Sequence, residues 1–251
     1  MAQYRSFIFP DAIVTESSVT LEKRESHHLV KVFRARVGES VELLDGKGKR
    51  YLGSVKGLDA RAAVIKVEKV VEVPAPRHQV TLLQALPKAK AMDLIIKSAT
   101  EIGVAAIQPI YTSQSEVHLP EERIAGKVDK WATTTVEASK QCGLPFLPVV
   151  LPPVGMLDWL KSHPADGGEL RIVASLEAGS RLLLDVLAAA ELPKRIVLAV
   201  GPEGDFSPRE YEALSQAKFV PVRLGDNVLR AETAAAYMLS VIDQFAHSSA
   251  G

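Results

Sequence analysis

The sequence predicts an α/β protein in two parts, a small N-terminal β-barrel and then a mainly parallel sheet covered by helices. Three observations carry this. Short strand-like runs separated by turn residues fill the first segment, Val73-Pro74-Ala75-Pro76 interrupts them, and apolar strand-like runs then alternate with segments of helical periodicity.

In the first part, Val41 and Leu43 lead into Asp45-Gly46, a hairpin signal, and residues 51–55 and 62–71 supply further strands separated by Gly57-Leu58-Asp59. A barrel is the natural way to close so many short strands. Ser26 is placed to cap a short helix over residues 27–35 that carries Lys31 and Arg34, with Arg36 at its exit. Pro74 and Pro76 disfavour helix and central strand alike, which sets domains at residues 1–73 and 77–251.

In the second part, residues 80–86 read as a strand, and Met92, Ile95, Ile96, Ala99 and Ile102 follow at helical spacing up to a Gly103 cap. Residues 104–110 form the next strand, and Ile124, Val128, Trp131, Ala132, Thr135 and Ala138 mark a second amphipathic helix. Strands over 170–176, 195–200 and 219–224 precede helices after Ser180, Ser207 and Glu232. Strand and helix in alternation imply parallel pairing with both faces covered.

Composition narrows the function classes. The 251 residues are 47% apolar, ample for a buried core, and no run of about 18 apolar residues suggests a membrane span. The first residues lack a long apolar stretch, so the expected address is cytoplasmic. A single cysteine, Cys142, excludes an intramolecular disulfide and a cysteine-based metal cluster. His27 and His28 are adjacent and diverge on a helix, so they do not make the i, i+4 metal pair, and no metal is expected. The net charge is zero, against non-specific polyanion binding. Residues 1–78 nevertheless hold 14 Lys/Arg against 10 Asp/Glu, and residues 79–251 hold 16 against 20, a modest basic bias in the first part.

Two turns carry the chemistry. Gly201-Pro202-Glu203-Gly204 ends the apolar run 195–200, and its glycines permit positive φ or close backbone approach. Ser207-Pro208-Arg209-Glu210 then has the form of a capping box. In the second turn, residues 224–234, Arg230 and Glu232 lie close to a helix start that Thr233 can cap. Taken singly, each turn is explained by strand-to-helix geometry, and neither is a dinucleotide or triphosphate loop.

Together, Val200-Gly201-Pro202-Glu203-Gly204 and Leu224-Gly225, Val228-Leu229-Arg230, Glu232-Thr233-Ala234 resemble the C-terminal signature of the SPOUT methyltransferases. The nearest resemblance is to the 16S ribosomal RNA uracil-N3 methyltransferases, in which a PUA-like barrel precedes the SPOUT domain. Arg5 with Phe7, His28 with Val32-Phe33-Arg34, Asp45-Gly46, Met92-Asp93, Lys97 with Glu101, and Gln141-Cys142-Gly143 extend the similarity along the chain. Four positions depart from it: Asp205 stands where a third glycine is usual, and Asn227, Gln114 and Leu144 where arginines are.

The resemblance implies a C-terminal trefoil knot, S-adenosylmethionine as cofactor, and a homodimer acting on 16S rRNA in the small ribosomal subunit, with no membrane and no metal. It implies a cofactor pocket of Leu176, Gly201, Pro202, Glu203, Gly204, Leu224, Gly225, Val228 and Leu229. Arg230 is the candidate to stabilise the deprotonated base and Glu232 to orient Arg230, both as catalytic residues. Arg5, Lys31, Arg34 and Arg36 are candidate RNA contacts in the first domain. Another RNA target, ribose 2′-O chemistry, or a non-catalytic ribosome-assembly role stay open from sequence.

Overall fold

In the computed structural model, which describes residues 3–189 and 191–248, contacts separate residues up to 75 together with 136–147 from residues 76–135 together with 148 onward. The first unit holds strands β1 (Tyr4–Phe7), β2 (Ile13–Val14), β3 (Ser18–Thr20), β4 (Ser40–Leu44), β5 (Lys49–Gly57) and β6 (Val64–Glu72). They form one sheet in the order β1-β4-β5-β6-β3-β2, antiparallel except for β1 on β4. Val19, Leu29, Val41, Leu43, Val55 and Ile65 fill its concave side. The sheet is therefore a curled partial barrel, and among the described residues no ladder joins β1 to β2.

The local helix differs from the sequence expectation. Helix α1 (Lys23–His27) begins earlier, capped by the Glu22 carboxylate, which accepts from the Arg24 and Glu25 N–H groups. One turn of π-helix follows over His28–Val32. Ser26 is not the cap: its hydroxyl donates to the Leu21 carbonyl at 3.0 Å and accepts from the Ala63 N–H at 2.9 Å, so it ties the helix to the neighbouring chain. A carboxylate one turn earlier can satisfy two helix N–H groups, which frees the serine for that task.

At Gly53, where the β5–β6 register shifts, an added Cβ would lie 2.0 Å from the Lys66 carbonyl oxygen. Backbone, unlike a side-chain tip, cannot turn away. Gly53→Ala is therefore expected to destabilise the first unit by about 3 kcal/mol in denaturant unfolding. A loss below about 0.5 kcal/mol would show that the two strands can spread there at little cost.

The second unit contains an all-parallel sheet. Its strands are β7 (Gln79–Ala85), β8 (Ala106–Tyr111), β9 (Val149–Val150), β10 (Val154–Gly155), β11 (Glu169–Ala174), β12 (Arg181–Leu182), β13 (Arg195–Val200) and β14 (Val220–Arg223). The order is β10-β8-β7-β13-β11-β14-β12, with β9 also on β8. Its helices are α2 (Ala89–Ile102), α4 (Met156–Ser162), α5 (Leu183–Leu187), α6 (Pro208–Gln216) and α7 (Ala231–Ser248), while α3 (Glu121–Cys142) contributes residues to both units. Two cores result. Leu82, Ile107, Ile172, Ile196 and Leu198 pack under α2, α3, α5 and α7, whereas Leu83, Ile110, Val173, Val197 and Ala199 pack under α4 and α6. Alternate residues of each central strand thus serve opposite faces, which explains their unbroken apolar runs. Gly103 ends α2 with φ +94°, as its placement at the close of that apolar stripe predicts.

One connection matters for the site. Val222 is registered against Ala174 of β11 on one side and Arg181 of β12 on the other. Residues 175–180 therefore leave and return at the same level and arch around β14, held by the Ser175 N–H donating to the Val222 carbonyl at 2.9 Å. A late strand seated inside an earlier arch is the insertion that a C-terminal trefoil knot requires.

Candidate functional site

Strands β11, β13 and β14 end side by side, and the chain leaves each of them into a turn. These turns wall an open cleft, lined by residues 174–176, 200–203, 205, 223–225, 227–229, Ala231 and Ala234. That is the carboxyl edge of a parallel sheet, where open α/β folds bind ligands. Leu176 and Val228 hold 61% and 75% of their surface exposed, so the cavity offers uncovered apolar area beside polar backbone.

Of the residues expected at a cofactor site, Leu176, Gly201, Pro202, Glu203, Leu224, Gly225, Val228 and Leu229 are brought together in this lining. Gly204 is not among them: it lies against Gln114, whose Cβ is 3.2 Å from where a Cβ on Gly204 would be. Neither Gly201 nor Gly204 takes a positive φ. The left-handed position of this turn is Asp205, at φ +60°. Gly201 serves close approach, since a Cβ there would meet an Asp205 carboxylate oxygen and the Phe206 ring at 3.3 Å.

Arg230 and Glu232 lie just beyond the lining, at the start of α7. Arg230 is exposed and its carbonyl accepts from the Ala234 N–H at 2.8 Å. Among the described residues no ion pair joins Arg230 to Glu232, because positions two apart at a helix start point to different faces. Thr233 is not the cap expected of it: α7 begins at Ala231, which puts Thr233 inside the first turn, and Glu232 is the acidic residue at that positive end.

In the first unit Arg5 is already engaged. Its guanidinium donates to Glu42 at 2.7 Å and to the Gln141 carbonyl at 2.8 Å. Lys31, Arg34 and Arg36 are exposed, and Arg34 holds φ +53°, a left-handed position for a long side chain.

Sequence reasoning identified Glu210 as part of a capping box and missed its second partner. The capping box of α6 is complete, with Ser207 at its head. The same carboxylate accepts from the Ser113 N–H at 2.7 Å and hydroxyl at 2.8 Å, so it fastens the turn after β8 to the turn after β13. A sequence separation of nearly a hundred residues leaves no local signal of this pairing. Burial opposes its charge, yet hydrogen bonds from Ser207 and Ser113 prevail and hold the Glu210 carboxyl below its ordinary value of 4.5. A depressed folded pKa adds stability that is complete above the unfolded value and is lost as pH falls through the folded one. Glu210→Gln is expected to flatten the acid limb of the stability curve below that value. An unchanged limb in acid titration of the two proteins would refute the assignment.

A chain that joins a curled β-unit to a parallel-sheet unit with this arched, three-walled cleft has the architecture of a two-part RNA methyltransferase. Residues 74–243 match a family described as RNA methyltransferase domain, and residues 21–68 one described as RNA methyltransferase PUA domain. The chain is 32% identical over 247 residues to ribosomal RNA small subunit methyltransferase E of Synechocystis sp., covering 98% of this chain and 78% of that one. The fold superposes on a methyltransferase of Legionella pneumophila solved in complex with SAM, with TM-score 0.86, 27% identity and coverage of 97% and 98%. It also superposes on ribosomal RNA small subunit methyltransferase E of Neisseria gonorrhoeae bound to S-adenosylmethionine, with TM-score 0.84, 27% identity and coverage of 96% and 97%. The chain belongs to the family of ribosomal RNA small subunit methyltransferase E.

Proposed function

We propose that this protein transfers a methyl group from S-adenosylmethionine to N3 of a uridine in 16S rRNA, on the assembled small subunit, as a cytoplasmic homodimer. The observation that carries the proposal is the cavity walled by the turns after β11, β13 and β14. Its lining suits the cofactor. Leu176, Val228 and Leu229 give apolar contact for a flat base, the backbone of residues 201–203 and 224–225 gives donors and acceptors for its edge, and Glu203 complements a cation.

S-adenosylmethionine supplies an electrophilic methyl carbon on a sulfonium. The turns hold donor and nucleophile in line and exclude water. Uracil N3 becomes nucleophilic only after losing its proton, and the charge then spreads to the flanking carbonyl oxygens. Arg230, exposed beside the cavity, places a fixed cation at those oxygens. Glu232 acts in the first turn of α7, where its charge steadies the helix end that presents Arg230.

The target base must be unpaired or flipped to reach the cavity. Lys31, Arg34 and Arg36 of the first domain, residues 1–73, contact RNA phosphates, while residues 77–251 hold the chemistry. Arg5, the fourth candidate, is already held by Glu42 and by the Gln141 carbonyl. Near-neutral overall charge favours a structured RNA particle over any polyanion.

The test supplies labelled S-adenosylmethionine to small subunits from a strain lacking the enzyme, followed by digestion and identification of the modified nucleoside. N3-methyluridine is the expected product. Label in a ribose methyl would assign 2′-O chemistry, and label in free 16S rRNA but not in subunits would refute the assembled-particle substrate. No label with no cofactor binding would leave a ribosome-assembly role.

A further inference from the structure

We infer that Tyr211 is a positioning residue of the methyl-donor cleft, acting through Asp205 as a brace that holds the carboxylate of one wall out of the cleft. The inference rests on reading the cleft as the S-adenosylmethionine site. Asp205 lines that cleft and holds φ +60°, a left-handed conformation that glycine adopts freely and a short polar residue tolerates with local hydrogen bonding. The Tyr211 hydroxyl, from the first turns of α6, lies 2.9 Å from each oxygen of the Asp205 carboxylate. Held there, the carboxylate rests against Gly201 and leaves the space of the cleft open.

Ser175 and Leu176, of the turn after β11, lie near enough to the phenol to favour its ionised form slightly. The hydroxyl fixes the Asp205 carboxylate of the turn after β13 against α6. The ring is itself fixed, edge-on to Phe206 at 5.7 Å and 76°, on a helix whose start is locked by its capping box. Burial and the neighbouring Asp205 charge both disfavour loss of the phenolic proton, so the hydroxyl remains a donor through the physiological pH range.

Without that donor, Asp205 keeps a left-handed backbone and a carboxylate deprived of its hydrogen bond, free to turn into the cleft. Tyr211→Phe retains the ring contact with Phe206 and removes the brace alone. The expected result is a Kd for S-adenosylmethionine, measured by calorimetry, raised about tenfold, with KM for the cofactor raised similarly and kcat within about twofold. The unfolding midpoint without cofactor should move little. Asp205→Gly in the Tyr211→Phe background removes the stray carboxylate and relieves the φ, so it should restore Kd to within about threefold of the parent.

Equal Kd for the parent and Tyr211→Phe would overturn the brace while leaving the cofactor site intact, as would a double variant no better than Tyr211→Phe. No binding by the parent protein would overturn the cofactor reading and the brace together.

Discussion

Arg230→Ala is expected to lower kcat for methyl transfer to small subunits by about 10²- to 10³-fold while leaving S-adenosylmethionine affinity within about threefold. The two effects separate because Arg230 stands outside the cavity lining and its side chain is exposed. A cation placed there meets the charge that develops on the base during the reaction. The loss should therefore fall on kcat and kcat/KM alike, since the interaction belongs to the transition state. Arg230→Lys keeps the charge but not the planar fork, and an intermediate loss of about tenfold is expected. The measurement is single-turnover methyl transfer beside cofactor calorimetry. Full turnover with alanine at this position would remove Arg230 from the chemistry, whereas a large loss of cofactor affinity would reassign it to the cleft.

Lys140→Met should destabilise the first unit by about 3–5 kcal/mol, the largest effect on stability expected of a single change. Glu25 is only 1% exposed at its side chain and Lys140 6%, and their charged atoms are 2.8 Å apart. The other Glu25 oxygen accepts the Phe7 N–H at 3.0 Å. Removing the ammonium leaves a buried carboxylate with one backbone donor, which is far costlier than never having buried the pair. Glu25→Gln in the same background should recover most of the loss, because a neutral amide can still accept from Phe7. Denaturant unfolding of the two variants decides the matter, and a single variant within about 0.5 kcal/mol of the parent would show that water reaches Glu25.

The parallel pairing of the second unit and the gathering of residues 176, 201–203, 224–225 and 228–229 in one cleft match what the sequence leads one to expect. The physical reason is that strands buried on both faces carry unbroken apolar runs, and the turns that end them carry glycine. The short strands β9, β10 and β12 and helix α4 were not legible. Elements of two to seven residues are set by what they pair with, too short for a period to show. The roles of Ser26 and Thr233 were misread for a related cause, since a hydroxyl that fits a cap fits other acceptors equally well. Asp205 was visible only as a departure from a family pattern. Its meaning depends on Tyr211, six residues away across a capping box.

The arch of residues 175–180 around β14 also sets an order in time. A ribosome completes β11 and β12 well before it makes residues 220–223, and these must then be delivered between two neighbours already synthesised. The third wall of the cleft, residues 224–229, is attached to that late arrival. Competence to take the methyl donor therefore comes only after the final strand is seated, so the nascent enzyme is inert until this step is done.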